Sequence, residues 1–489
     1  MSVDKPVFFD AVAARSSAQG GRAMLVGPDG ERVSHADALE RSLRMARALG
    51  GFGLSTGDRV VAMTEKSVDA VVLYLACLRA GLVYVPVNPG FRGEETLHVL
   101  RDATPALVVC DAGREAWFGG LAPGMRAVAL GALAGMTGSE APGGPGEGPA
   151  VILYTSGTTG QPKGAMLSQG NLLANGLALG AAWGFGAEDV LLHVVPLFHS
   201  HGLFVALSCT LLSGSTVVLA PRFLVEETLA LLPGCSVFMG VPTMYARLVA
   251  HPGLTPAACR TVRLFACGSA PLSPSDHAGF TARTGREIVE RYGMSETGIN
   301  TSNPVDGVRK PGSVGLPLPG VEVRVAGGGE VGAVQVRGAH VFGGYRNRPA
   351  QTAEALSADG WFDTGDLGRI DGDGYLTLVG RAKELIISGG FNVYPVEVER
   401  VLQTLPGVHE AAVIGLPHPD FGEAVTAIVV MAPGAALDEA AVIAAVKGRL
   451  AAYKAPKRVL AMDALPRNAI GKVLKTVLQE GNAGLYGGG

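Results

Sequence analysis

Residues Tyr154 to Met166, "YTSGTTGQPKGAM", set three glycines, four hydroxyl side chains and a lysine between two apolar runs. Glycines at 157, 160 and 164 let backbone N–H groups approach a ligand with no Cβ in the way. Thr155, Ser156, Thr158 and Thr159 add hydroxyl donors, and Lys163 adds a full positive charge. That chemistry is phosphate binding. The loop from Thr155 through Ser156, Gly157, Thr158, Thr159 and Gly160 to Lys163 is therefore a candidate phosphate cradle. It is not a Walker loop, because no G-x-x-x-x-G-K-[ST] register fits and Pro162 precedes the lysine. Taken alone, the same composition also describes a flexible Gly/Thr surface turn.

Positioning such a loop requires rigid elements on either side. "AVILY" just upstream reads as a buried strand. "RVVAMT" (59–64) reads as another, followed by an apolar helix from about Ser67 to Ala80 and a strand in "VYVPVNP" (83–89). Ser34 with Asp37 three residues on predicts a helix start, with apolar positions at 39, 43, 46 and 49. Alternation of strand and helix implies α/β layers with largely parallel sheets. "SEAPGGPGEGPA" (139–150) reads as a Gly/Pro-rich connection. After "VGRAKELIISGG" the texture changes to a helix near 395–404, strands in "AAVIGL" and "AVTAIVVM", and a helix from about Leu437 to Ala452. These expectations divide the chain into residues 1–380 and a smaller α+β domain at 381–489, with "GLYGGG" as a disordered tail.

The chain of 489 residues is too long for one core. Forty Lys and Arg against 43 Asp and Glu give a net charge of −3, which supplies no electrostatic case for nucleic acid or an anionic membrane. Six cysteines without a C-x-x-C pair exclude a recognisable zinc site and suggest a reducing compartment. The N-terminus lacks a signal-peptide core. Leu203 to Ala220 is uncharged for eighteen residues, but "SGS" splits it into a helix–turn–strand unit instead of a membrane span. A soluble, cytoplasmic protein is expected.

Five further stretches accompany the loop: "PLFHSHGLF" (196–204), "FACGSAPLS" (265–273), "ERYGMSETGINTS" (290–302), "GWFDTGDLGRIDGDGYLTLVGRAKELIISGGFNVYPVEVE" (360–399) and "LPRNAIGK" (465–472). In this order and spacing they resemble the adenylate-forming superfamily of acyl-CoA synthetases, peptide-synthetase adenylation domains and luciferases, over nearly the whole chain. The resemblance implies a large multi-layered α/β N-terminal domain with a smaller mobile α+β C-terminal domain. It also implies ATP, Mg²⁺ and coenzyme A as reactants or cofactor. By that likeness Gly268, Ser269, Ala270, Pro271 and the run Arg291, Tyr292, Gly293, Met294, Ser295, Glu296 and Thr297 wall the nucleotide. Glu296 helps hold Mg²⁺, with Thr155 a second candidate; Asp366 and Arg381 take the ribose. Lys472 is the lysine that reaches the reacting carboxylate and α-phosphate, and Lys163 and His199 complete the catalytic set. Lys383 falls at the interdomain hinge, and Gly389 and Gly390 line the passage for the thiol.

Within the superfamily the likeness is to malonyl-CoA synthetases, carried by "HSHGLFVA", "MGVPTMYARL", "ERYGMSETGINTSNPVDG", "SGGFNVYPVEVE" and "HPDFGEAVTAIVV". A second, non-reacting carboxylate needs a waiting cation, and arginine is best fitted through its bidentate fork. Arg291 is the candidate, with Arg222 and Arg263 as alternatives; a structural ion pair with Glu290 or another acid is the competing reading of Arg291. His199, Ser200, Ile299 and Cys267 are expected around the acid. Such enzymes usually carry Thr, Met and Ser where this chain has Ser200, Ile299 and Cys267, departures that bear on strictness for malonate; the smaller Ser200 and shorter Ile299 are expected to leave room for methylmalonate. A ligase for another short or aryl acid, or a module that loads a carrier protein, shares the same motifs.

Overall fold

The computed structural model describes residues 7–138, 140–144, 146, 148–155, 162–468 and 471–486. Two largely parallel sheets form its larger part. In one, Ala127–Ala129, Leu107–Cys110, Arg59–Met63, Val83–Pro86 and Val151–Thr155 run parallel, and Lys163–Leu167 closes the edge antiparallel. In the other, strands from Ala23–Val26 across to Ile288–Met294 are parallel, flanked by antiparallel edges at Arg32–Ser34, Gly298–Ser302 and Leu316–Pro317. The helix Val68–Arg79 is buried on every side from Ala70 to Leu78, because a single apolar core takes in residues of both sheets around it. A helix apolar all round belongs in such a position. Ser67 caps it by accepting the Ala70 N–H at 3.1 Å.

The expected cap at Ser34 forms, accepting the Asp37 N–H at 3.1 Å. The buried stripe of that helix is rotated from the expected one. Ala38, Ser42, Met45, Ala46 and Leu49 face the core, while Leu39 and Leu43 are only half-buried. Small side chains on this face let neighbouring helices approach closely, and contact distance outweighs the size of the apolar residue.

A four-stranded antiparallel sheet, Glu322–Ala326, Gly332–Arg337, Phe362–Ile370 and Leu376–Arg381, was not anticipated from the sequence. The final sheet joins Ile386–Ser388, Phe391–Val393, Val408–His418, Gly422–Met431 and Arg458–Ala461, with helices Pro395–Leu402 and Glu439–Lys447 packed on it. The expected disordered tail is corrected for its described residues. Leu485 and Tyr486 pack against a cluster containing Ile414, Leu416 and Leu478, and the Tyr486 and Thr426 hydroxyls lie 2.9 Å apart. Burial and a hydrogen bond offset the entropy of fixing a short extension.

The uncharged stretch from Leu203 is a buried helix–turn–strand, as expected, but it opens as a π-helix at His201–Leu207 before the α-helix Ser208–Ser213 and the strand Thr216–Leu219. No helix among the described residues is long and apolar enough to cross a membrane. All six cysteines are buried thiols.

Successive residues of a strand face opposite sides, so Glu290 and Arg291 cannot pair with each other across the strand Ile288–Met294. Glu290 accepts the Gly312 N–H at 3.1 Å. The nearby Arg400, from the last helical layer, donates to the Gly312 carbonyl at 3.2 Å. Burial pushes the Glu290 carboxyl up from 4.5 to about 7, against the pull of the Gly312 N–H and Arg400. The folded state therefore holds an extra proton between these two values. This group's contribution is greatest at the acid end of that window and declines as pH rises through it. Glu290→Gln, neutral at every pH, is expected to raise the melting temperature near pH 8 and change it little near pH 5. Equal shifts at the two pH values would contradict this reading.

Candidate active site

The phosphate-cradle candidates sit on a hairpin in which Thr155 pairs with Lys163 across the Val151–Thr155 and Lys163–Leu167 strands. Ser156, Gly157, Thr158, Thr159 and Gly160 lie outside the described residues. The Lys163 ammonium stands 5.2 Å from the ring centre of Tyr345. The Tyr345 hydroxyl donates to Glu296 Oε1 at 2.8 Å, and its backbone bridges to Ala165 of the hairpin. One tyrosine thus ties the cradle to the candidate magnesium ligand. Sequence reading missed it; its only signal is an aromatic residue in a glycine-rich turn, "GGYRN". Glu296 is buried, and desolvation raises its pKa despite the Tyr345 hydrogen bond.

Asp366 and Arg381 are direct cross-strand partners in the antiparallel sheet, where side chains meet on one face. Arg381 Nε lies 3.0 Å from Asp366 Oδ1, and the Tyr292 hydroxyl donates to Oδ2 at 2.5 Å. Burial alone would lower Arg381; Asp366, Tyr292 and two glutamates outweigh it and raise it. Asp366 itself is pushed up by burial, with Arg381 opposing.

Lys472 enters the same field from the C-terminal side. Burial lowers its pKa, Arg381 lowers it further, and Glu384 and Asp366 pull the other way. The loop presenting it is closed by Asn468, whose side chain accepts the Lys472 N–H at 2.9 Å and whose own N–H donates to the Lys472 carbonyl at 2.9 Å. A Cβ on Gly471 would stand 3.2 Å from Thr243 Oγ1, so this loop touches the helix Pro242–Ala250 of the larger part. Lys475 anchors the following helix between Glu384 at 3.0 Å and Glu399 at 2.8 Å. The turn at Gly268 to Pro271 carries Ser269 at φ +75, an unfavourable backbone state for a residue with a Cβ. Of the remaining wall residues, Thr297 is fully buried, and Gly293, Met294 and Ser295 are half-buried.

Of the acyl-side candidates, His199 and Cys267 lie in the field of Arg291. Its guanidinium is buried, and neither Nε nor Nη2 has a hydrogen-bond partner among the described residues. It packs against Gly268, where an added Cβ would lie 2.5 Å from Arg291 Cζ. Only glycine leaves that space. Burial draws Arg291 down to about 10, so it keeps its charge at neutral pH. Burial and then Arg291 bring His199 down to about 4, hence neutral. The His201 N–H reaches His199 Nδ1 at 3.4 Å, which leaves the His199 proton on Nε2. Cys267 and Ile299 are buried in one apolar cluster with Tyr245, and Asn175 clamps the Ile299 backbone from both sides. Ser200 is buried one residue before the π-helix.

The alternative cations fall elsewhere. Arg263 is held by Asp189 at 2.8 and 2.6 Å and by the Trp183 and Gly184 carbonyls, and Arg222 is exposed. Gly389 and Gly390, at φ +59 and +82, form an exposed turn. Lys383 lies exposed in a short 3₁₀ turn, Ala382–Glu384. Lys66, which the sequence gave no reason to single out, donates to the His193 carbonyl at 3.0 Å and is lowered to about 7 by burial.

The description "AMP-binding enzyme" matches residues 12–346, and "AMP-binding enzyme C-terminal domain" matches 397–472. The crystal structure of ATP-bound MatB from Rhodopseudomonas palustris is 44% identical, with a TM-score of 0.94 over 98% of this chain and 99% of that one. Apo MatB from the same organism, at the same identity and coverage, gives 0.83. The arrangement of this chain is therefore closer to that of the ATP-bound relative. Feruloyl-CoA synthase of Amycolatopsis sp is 36% identical over 481 residues, covering 94% of this chain and 96% of that protein. Malonate–CoA ligase of Arabidopsis thaliana is 34% identical over 484 residues, covering 88% and 79%. On the extent of these matches, the chain belongs to the AMP-binding enzyme family.

Proposed function

We propose that this enzyme, an AMP-forming acid–thiol ligase, joins malonate to coenzyme A through a malonyl-adenylate, releasing pyrophosphate and then AMP. The observation that carries the choice of acid is Arg291, a buried guanidinium with two unpaired nitrogens beside neutral imidazoles. A buried ion without a partner costs several kcal/mol, and the distal carboxylate of a short diacid supplies that partner. Malonate–CoA ligase among the relatives supports the same choice.

In this reading the first half-reaction brings a carboxylate oxygen against an anionic α-phosphate, so positive charge must stand where negative charge develops. Lys472 supplies it, held in the field of Asp366 and Arg381. Asp366 takes the ribose hydroxyls, and Tyr292 and Arg381 fix its two oxygens. Lys163 and Thr155, paired at the base of the cradle hairpin, serve the outer phosphates. Glu296, a buried oxygen donor oriented by Tyr345, fits Mg²⁺. The ion, when bound, neutralises phosphate charge during adenylation. We place the domain boundary at Arg381, giving 1–380 and 381–489, with Lys383 as the hinge. Rotation there withdraws Lys472 and brings the Gly389–Gly390 turn to the thiol passage. Small molecules, namely malonate, ATP and CoA, are the partners.

Lys472→Ala is expected to abolish adenylation nearly completely while sparing thioester formation from supplied malonyl-adenylate, with the loss in kcat more than in KM. Equal loss in both half-reactions would remove Lys472 from the first transition state.

Arg291→Ala should reduce kcat/KM for malonate by more than about a hundredfold, the equivalent of roughly 3–5 kcal/mol for stranding a buried charge. Acetate and the KM for ATP should change little. If the variant keeps the parent's preference for malonate over acetate, the carboxylate is bound by another group.

Ser200 lacks the methyl of Thr, and Ile299 has a shorter reach than Met, so the space released near C2 is that of about one methyl group, worth roughly 0.8 kcal/mol per CH₂. Methylmalonate is expected as a second substrate, behind malonate. Ser200→Thr with Ile299→Met should sharpen discrimination by about one order of magnitude in the kcat/KM ratio. An unchanged ratio would place these side chains away from C2.

A further inference from the structure

His201 is 3% exposed, and neither of its ring nitrogens has a hydrogen-bond partner among the described residues. A neutral imidazole carries one N–H donor and one acceptor, and leaving both unpaired inside a protein is unfavourable. Its position is tightly determined. His193 Nε2–H donates to the Gly202 carbonyl at 3.0 Å, and the Leu203 N–H donates to the His199 carbonyl at 3.0 Å. A side chain on Gly202 would run into the Pro196 carbonyl oxygen. These contacts hold the backbone on either side of the ring. The field of Arg291 reaches His201 as well as His199, and burial with these cationic and imidazole neighbours keeps the His201 ring neutral. A second cation thus does not compete with Arg291; an uncharged N–H donor stands in its field instead.

We propose that His201 is a second binding residue for the distal carboxylate of the acid, donating one ring N–H to a carboxylate oxygen while Arg291 engages the same group. The inference rests on the diacid reading above. It assigns selectivity for a diacid over a monoacid to two side chains from different elements: the strand Ile288–Met294 and the first residue of the π-helix His201–Leu207. The winding of that helix is then a device that turns a histidine toward the substrate at the start of an otherwise apolar segment.

The test compares pyrophosphate exchange with malonate and with propionate, whose tail is uncharged, for the parent enzyme, His201→Leu, His201→Gln and Arg291→Ala. His201→Leu should lose about ten- to a hundredfold in kcat/KM for malonate, mainly through KM, as expected for a hydrogen bond to a charged group. Propionate and the KM for ATP should be unchanged. His201→Gln, which keeps an N–H donor, should recover most of the loss. Should the leucine variant not fold, His201→Asn, whose shorter amide withdraws the donor, replaces it in the comparison with Gln. Equal loss on both acids, or a glutamine variant no better than leucine or asparagine, overturns the proposal and makes His201 a structural residue. Loss of malonate preference in Arg291→Ala but not in His201→Leu overturns it while leaving the diacid reading intact. A parent enzyme that does not prefer malonate to propionate overturns both.

Discussion

The arrangement depends on keeping one guanidinium charged and unpaired inside the larger part of the molecule. Arg291 is 6% exposed, and two of its nitrogens lack partners among the described residues. The surroundings avoid neutralising it. Glu290, its sequence neighbour, is directed to the opposite face, and Arg263, the other cation close in sequence to the pocket strands, is fully engaged by Asp189. His199 and His201 remain neutral beside it. A buried charge left without a partner costs several kcal/mol locally, and the proposed diacid is what would offset it.

Around Asp366 and Glu296, the proposed nucleotide side, the electrostatic arrangement is reversed. Acidic groups come first, Asp366 and Glu296, each raised by burial, and each has a tyrosine hydroxyl donating to it. Arg381 and Lys472 bring positive charge to the acids instead of waiting for it from a ligand. A short diacid adds only one distal charge, which a single bare arginine can meet.

Much of this was legible in the sequence because the responsible signals are local. Buried strands such as Val151–Thr155 announce themselves as Val- and Ile-rich runs, and the Ser34 and Ser67 caps by a hydroxyl at a helix start. The larger groups of site residues came from motifs in order, and the structure brings Asp366, Arg381, Tyr292 and Lys472 into one neighbourhood. What was not legible is set by distant contacts. Tyr345 meets Glu296 across 49 positions of chain, and no local pattern marks the pair. The π-winding at His201 has no hydrophobic period that separates it from an α-helix in a segment apolar on all sides. Two strands of the antiparallel sheet do carry a period-two signal, in "EVRVA" and "VQVR", whereas the nine-residue strand Phe362–Ile370 has two glycines that mask its own alternation. The tail looked disordered from its glycines, yet Tyr486 finds Thr426 sixty residues away.

One strand connects these two electrostatic regimes. Along Ile288–Met294, Glu290 and Tyr292 face the same way, toward Gly312 and Arg400 in one case and Asp366 in the other. Arg291 faces the opposite side, toward Gly268 and the histidines. The period of two in a β-strand thus makes the strand a partition. Its odd residue Arg291 meets Gly268 and the histidines, and its even residues meet Asp366 on one hand and Gly312 with Arg400 on the other. Any shift of register by one residue would exchange the two sets of contacts and put a carboxylate beside Gly268 and the histidines. The antiparallel edge at Gly298–Ser302 pins that register, pairing Arg291 with Ser302 and Tyr292 with Thr301. The Asn175 clamp on Ile299 fixes the edge strand in turn. The surroundings of Arg291 and of Asp366 are consequently fixed together by the same few backbone hydrogen bonds, so under the proposed function acid selectivity and nucleotide geometry are coupled.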